Sequence, residues 1–275
     1  MKPTNLAALV ALSLALGCTS SEGSLDNTHS APAEITHGEL DGNAHPAVVL
    51  LLMEAKGQPA WRCSGTLLNA TTVLTAGHCT GEPNEVSGIR AFTESDVQHG
   101  TNNYPLAGPN AVEAVSWASH PEFKSDTFSL HDVGVVKLAA PGVVLPASAY
   151  GVLPKENELE VLKPSAHTTF TAVGYGLQRI NPAKTEGEKV RMRAEPHLLQ
   201  INTPGFTGSH SLMLSNNAST GGTCFGDSGG PNFLGSSLVV AGVTSFGMNG
   251  SCGGTGGVFR MDRKNVLEFV GKYLP

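Results

Sequence analysis

The chain has 275 residues, of which 40% are hydrophobic and 15% charged, a composition that supports a buried core and excludes a disordered protein. The formal net charge of −6 is mild, and no run of lysine or arginine could neutralise a row of phosphates, so we exclude nucleic acid as a partner. The 33 glycines and 17 prolines favour many short strands joined by tight turns over a helical bundle.

The first 18 residues predict an export signal. Lys2 precedes an apolar run over 6–16, which is too short to span a bilayer comfortably, and small residues follow it. We therefore expect a secreted or periplasmic protein. Residues 15–18 resemble a bacterial lipobox, which favours a bacterial source. Cys18 is then either the lipidated first residue of the mature chain, its only membrane anchor, or a residue lost with an ordinary signal peptide.

The segment 19–34 is rich in serine, threonine, glycine, asparagine and proline and holds few apolar residues. Such a composition cannot form packed structure, so we interpret the segment as a linker or propeptide. No comparable break follows, and we expect one folded domain over 35–275.

Short β-rich runs recur through that domain, nearly all separated by turn residues. They lie at 47–53, 63–68, 72–75, 133–138, 168–173, 238–244 and 257–260. The last segment differs, because Val266, Phe269, Val270 and Tyr273 recur at helical spacing after Asp262, which we expect to cap the helix. The pattern predicts an all-β protein with a short C-terminal helix.

The strongest local signal for chemistry is the string CFGDSGGP at 224–231. Acyl transfer needs a hydroxyl at a sharp turn, with backbone N–H groups facing the developing oxyanion, and glycines permit that backbone geometry. Ser228 is the candidate nucleophile, and the N–H groups of Gly226 and Ser228 are the candidate oxyanion donors. The alternative is a glycine-rich hairpin turn with an incidental serine.

A serine hydroxyl needs an adjacent base, and the base needs a carboxylate to orient it. His78 is the candidate base, because it follows the apolar run at 72–74 and precedes Cys79. Asp132 is the candidate carboxylate, because it directly precedes the apparent buried strand at 133–138. Taken singly, the histidine could simply pack beside a cystine, and the aspartate could be a turn residue.

Four cysteines remain in the expected domain: Cys63, Cys79, Cys224 and Cys252. An even number in an exported chain predicts two disulfides formed in an oxidising compartment. Spacing alone does not choose among the three possible pairings.

The motifs TAGHC, HDVGVVKL and CFGDSGGP together resemble the trypsin/chymotrypsin family of serine endopeptidases, and they stand in that family's order of His, Asp and Ser. The resemblance spans 35–275. It implies two six-stranded antiparallel Greek-key β-barrels with the active site between them and the terminal helix outside. It also implies the pairings Cys63 with Cys79 and Cys224 with Cys252, and a monomer that hydrolyses protein or peptide substrates without a metal or cofactor.

The same resemblance assigns the substrate pocket. Its base would be Gly222 and Thr223, its walls Gly247 and Gly257, and its adjoining segment Ser245 and Phe246. No carboxylate stands among these positions, so a charged substrate side chain would be buried without a partner. We expect a preference for uncharged apolar P1 residues. Cleavage after glutamate is the alternative, since threonine hydroxyls are present.

Ile35 begins the string ITHG, which resembles the start of family members that are activated by proteolysis. Cleavage after Glu34 would free an ammonium at Ile35 to pair with Asp227 and order the oxyanion loop. A separate activating protease is needed if the enzyme prefers apolar residues, whereas glutamyl specificity would allow self-processing. A different reading of the whole chain is a catalytically inactive member of the same fold, acting as a surface binding or regulatory protein.

Overall fold

Six antiparallel strands close the first of two β-barrels in the computed structural model, which describes residues 35–82, 84–127, 129–181 and 184–275. The strands are β2 (Val48–Ala55), β3 (Gln58–Asn69), β4 (Thr72–Thr75), β5 (Gly88–Phe92), β6 (Ala111–Ser119) and β7 (Gly134–Leu138). Their order around the barrel is β2-β3-β4-β7-β6-β5. A short strand, β1 (Glu39–Leu40), precedes them.

The second barrel closes through the pairing of β8 with β14. Its strands are β8 (Ser165–Gly174), β12 (His197–Thr203), β13 (Gly208–Asn216), β14 (Pro231–Leu234), β15 (Val240–Gly247) and β16 (Gly254–Arg260), in the order β8-β12-β13-β16-β15-β14. β11 (Met192–Ala194) joins β8 to β1 at the edge, and β9 (Arg179–Asn181) pairs with β10 (Lys184–Glu186). The expected fold, two six-stranded antiparallel barrels with a short terminal helix, is confirmed.

Strand β2 shows why the sequence forms this architecture. Successive side chains of a strand point to opposite faces, and Val49, Leu51 and Met53 pack inside the first barrel. The alternate residues, Leu50 among them, join a different cluster that includes Phe233 of the second barrel. Both faces of β2 are therefore buried, which explains its continuous apolar run.

Two α-helices are described, α1 (Gly77–Thr80) and α2 (Lys264–Gly271), together with 3₁₀ turns at Ser125–Thr127, Ala147–Ala149 and Glu158–Val161. Val266, Phe269 and Val270 of α2 are buried against the layer between the barrels, as the helical spacing predicts. None of the helices in the described ranges is long and apolar enough to cross a membrane.

The expected cap of this helix is wrong. The residue at the N-cap is Arg263, and no side chain caps the helix there. Asp262 is fully buried instead, where it accepts hydrogen bonds from Arg260 at 3.0 and 2.8 Å and from the N–H of Leu159 at 2.9 Å. A buried carboxylate needs such partners, and meeting that need takes Asp262 away from the helix end.

Candidate active site

His78 and Asp132 form a hydrogen-bonded pair at one end of the first barrel. α1 carries His78, and Asp132 lies two residues before β7. The imidazole Nδ1 lies 2.9 Å from Asp132 Oδ2 and 3.1 Å from Oδ1, and the backbone N–H of His78 donates to Oδ1 at 2.9 Å. Since Nδ1 faces a carboxylate, the lone pair of the neutral ring lies on Nε2, where a base must carry it.

Asp132 is fully buried and has a further donor that the sequence interpretation missed in this role. The Ser245 hydroxyl donates to Asp132 Oδ2 at 2.5 Å. The sequence placed Ser245 only in the substrate-binding segment. The hydrogen bond shows that β15, a strand of the second barrel, also helps to hold the carboxylate of the first.

Two opposing effects act on the imidazole. Burial lowers the pKa of His78, whereas the charge of Asp132 and its hydrogen bond raise it, and the net result is a pKa above the ordinary histidine value. A raised pKa makes Nε2 a stronger proton acceptor than a free imidazole.

Ser228 and His78 line the same cavity, which has a volume of about 460 Å³. Ser228 lies in the loop that precedes β14 of the second barrel, and its carbonyl oxygen accepts the N–H of Ser64 in β3 at 2.8 Å. The three residues assigned to the triad from sequence are therefore brought to one cleft from separate parts of the chain.

The loop around Ser228 has the backbone that glycine permits. Gly226 has φ = +96° and Gly229 has φ = +76°, conformations that a residue with a Cβ rarely adopts. The Asp227 carboxylate lies beneath this loop, fully buried, and accepts the N–H groups of Gly176 and Cys224, each at 2.8 Å. Burial raises the pKa of Asp227 to about 6, and the two N–H donors oppose the shift.

Two disulfides fix the segments that carry the candidate residues. Cys63 is bonded to Cys79, next to His78, and Cys224 at the start of the nucleophile loop is bonded to Cys252. Both pairings that the family resemblance implies are confirmed.

The cavity wall differs in part from the one expected. Thr223, Ser245, Phe246 and Gly247 line the cavity. Strand register pairs Gly247 with Gly256, and it pairs Phe246 with Gly257. A Cβ on Gly257 would lie 2.2 Å from the Phe246 ring, so that ring covers Gly257. The glycine opposite Gly247 is therefore Gly256.

Gly222 lies behind the wall rather than in it. A Cβ there would lie 2.3 Å from the side chain of Asn216, a buried residue whose amide donates to the carbonyl of Thr223 at 2.8 Å. Asn216 thus supports the expected pocket base from β13. No motif in the sequence pointed to it, because its role depends on strand pairing.

Ile35 is fully buried with Val190, Met192 and Ala194. The next residue, Thr36, donates its hydroxyl to Asn216 Oδ1 at 2.8 Å. Asp227 is held by backbone N–H groups in this uncleaved chain, as given above. The signal, Cys18 and Glu34 lie outside the described residues.

Comparison with known proteins matches this picture. The trypsin family model matches residues 36–264. The chain is 28% identical over 223 residues to the venom serine protease Bi-VSP of Bombus ignitus, covering 78% of this chain and 59% of that protein. It is 25% identical over 228 residues to chymotrypsin-like elastase family member 1 of Homo sapiens, covering 78% and 81%.

Human serine protease 56 is 33% identical over 229 residues, which cover 77% of this chain and 35% of that protein. Among solved structures, one described as HL collagenase superposes with a TM-score of 0.67 at 22% identity, covering 86% of this chain and 96% of that one, and it shows the same fold. With most of its length matched by the family model, the chain belongs to the trypsin family of serine proteases.

Proposed function

We propose that the protein is a serine endopeptidase in which Ser228 is the nucleophile, His78 the general base and Asp132 the residue that orients the base. The observation that carries the proposal is the hydrogen bond between half-buried His78 and buried Asp132, on the cavity that Ser228 also lines. Family membership supports the reaction class.

In this mechanism the Ser228 hydroxyl attacks the scissile carbonyl while His78 Nε2 takes its proton. The negative charge that develops on the carbonyl oxygen is bound by the N–H groups of Gly226 and Ser228. His78 then gives the proton to the leaving amine, and an acyl-enzyme remains on Ser228. Water hydrolyses the ester by the same steps, and the chain needs no metal or organic cofactor for any of them.

The test compares Ser228→Ala with Ser236→Ala, a matched change at an exposed serine. Peptidase turnover and the burst with an active-site titrant should both disappear in Ser228→Ala and remain in Ser236→Ala. Retained turnover in Ser228→Ala would remove the assignment. Absence of turnover and burst in the processed wild-type chain would instead favour the inactive binding or regulatory protein.

The cavity supports a preference for uncharged P1 residues. Among the described residues that line it, the ionisable ones are His78 and Glu85, and Glu85 follows α1. The wall made by Thr223, Phe246 and Gly247 carries no charge that could pair with a lysine, arginine or glutamate side chain. Profiling cleavage of a peptide library should show apolar P1 residues, and dominant cleavage after glutamate would support the alternative.

Activation by cleavage after Glu34 belongs to the same proposal. The burial of Ile35 and of Asp227 supports it, because a buried carboxylate is stabilised by a nearby cation. An activating protease would make the cut, since Glu34 does not suit an apolar preference. N-terminal sequencing of the active enzyme should read Ile35, and full activity with the Glu34–Ile35 bond intact would contradict this step.

We further propose that the protein is exported and acts as a monomer on protein substrates. The two disulfides fit an oxidising compartment. If Cys18 carries a lipid, cleavage after Glu34 would release the enzyme from its membrane tether. Mass spectrometry of the N-terminal peptide from the native source tests the anchor, because a lipid adds a defined mass to Cys18.

A further inference from the structure

Three side chains that can bind metal ions lie together where the chain passes from β6 to β7. They are His120, Glu122 and His131, and their candidate ligand atoms all lie within 4.8 Å of one another. The two imidazole rings stack with centroids 5.0 Å apart and planes 17° from parallel. This cluster lies outside the cavity that holds Ser228.

The spacing of His131 and Glu122 suits a shared ion better than a direct bond. His131 Nδ1 is buried and has no hydrogen-bond partner among the described residues. Its nearest acidic atom, Glu122 Oε2, lies 3.7 Å away, beyond hydrogen-bond distance. Two ligands at 2.0 to 2.2 Å on a tetrahedral zinc ion lie roughly 3.4 Å apart, so an ion between these atoms needs only a small movement.

His120 is already fixed in position. Its Nδ1 accepts the N–H of Glu122 at 3.2 Å, a hydrogen bond that a bound ion would replace, and its ring packs edge-on against Phe269 of α2 at 5.2 Å.

We propose that His120, Glu122 and His131 bind a divalent transition-metal ion, for which Zn²⁺ is the best fit. Two imidazoles and one carboxylate are a ligand set typical of zinc, whereas calcium and magnesium select oxygen ligands. Water would complete the coordination. The Glu122 side chain is 64% exposed, so an ion can reach the cluster from solvent. This inference does not depend on the proposed peptidase activity.

Calorimetric titration of the full chain with Zn²⁺ tests the site, in a His78→Ala background that removes the imidazole of the proposed triad as a competing ligand. We expect saturable binding of one ion per chain. His131→Asn and Glu122→Gln should each weaken it by at least about 10-fold. Asparagine suits position 131, because His131 has φ = +56° and asparagine tolerates that region better than most residues.

His99→Asn is the matched control, since His99 is an exposed histidine that also lies beside a carboxylate, with its Nδ1 3.1 Å from Asp96. It should leave the affinity unchanged. Absence of saturable binding, or equal affinity in His131→Asn and Glu122→Gln, would show that the cluster is only a stacked histidine pair. If His131→Asn fails to fold by near-ultraviolet circular dichroism, Glu122→Gln decides alone, because its side chain lies in solvent.

Discussion

The buried carboxylate of Asp227 makes the stability of the uncleaved chain depend on pH in a direction that cleavage should reverse. Burial raises its pKa from 3.8 to about 6, a difference of about two units. Each unit corresponds to about 1.4 kcal/mol, so ionising this group costs the folded uncleaved chain about 3 kcal/mol. The folded state therefore holds the proton on Asp227 more tightly than the unfolded state does. The resulting stabilisation of the folded chain is present below pH 4 and is lost as pH rises through 6.

The assay is urea unfolding of two uncleaved chains between pH 3.5 and 8. One carries Ser228→Ala, which prevents proteolysis, and the other carries Ser228→Ala with Asp227→Asn. The difference between their free energies of unfolding removes the effect of the other carboxylates, which both chains share. Between pH 4 and pH 7 this difference should shift by about 3 kcal/mol, with the asparagine variant becoming relatively more stable. A difference that stays constant over this range would show that Asp227 has the same pKa in the folded and unfolded chains.

A third chain tests the proposed activation. It is the Ser228→Ala variant with an engineered leader, which a specific protease removes so that the chain begins at Ile35. An ammonium beside Asp227 lowers the pKa of the carboxylate, so the slope changes sign and the processed chain gains stability as pH rises above 4. The gain should be lost at pH values above about 8, because pairing with Asp227 raises the pKa of the amine above its ordinary value. Identical pH profiles for the processed and uncleaved chains would show that Ile35 does not reach Asp227.

The triad, the disulfide beside it and the pocket wall can each be perturbed separately. Asp132→Asn should lower kcat about 10⁴-fold by favouring the wrong histidine tautomer, and a loss below about 10-fold in a kinetic assay would contradict the role. Because the pKa of His78 is raised, the acid limb of kcat/KM should have its midpoint above 6.5, and a midpoint below that value would be inconsistent with the pairing. Cys63 and Cys79 are 16 residues apart, and replacing both with alanine should lower the free energy of unfolding by about 3 kcal/mol and also reduce kcat. A loss of stability without a loss of kcat would show that the disulfide does not position His78. Gly256→Ala adds a Cβ 3.2 Å from Thr223 Oγ1 and should lower kcat/KM for phenylalanine at P1 relative to alanine by about 10-fold, whereas Gly271→Ala, in open space, should not.

The sequence predicted the fold best where pattern and burial coincide. The run at 72–75 matches β4 to the residue, and the two-faced apolar run of β2 was equally clear. Of the barrel strands, β5, β6, β12, β13 and β14 were missed. Two of them show why, since β6 has no buried residue and β13 begins with Gly-Ser-His-Ser. Their strand pairing comes from barrel closure, which no local pattern reveals.

The site shows the same division. His78, Asp132 and Ser228 were found because each lies in a compact motif, and the structure brings them to one cleft. The register of β15 against β16 decides which glycine faces Gly247, and it places Gly256 there, which no sequence motif could show. Asn216 acts through a hydrogen bond to a residue seven positions away on a different segment, which spacing alone cannot predict.

The pairing of Ser228 with His78 is tested most directly by covalent labelling of the processed chain with a fluorophosphonate, followed by peptide mass spectrometry. We expect one adduct per chain, on Ser228, forming at a rate that falls by several orders of magnitude in His78→Ala. Labelling at another residue, or a rate at Ser228 that does not change when the imidazole is removed, would contradict the claim that these two side chains work together.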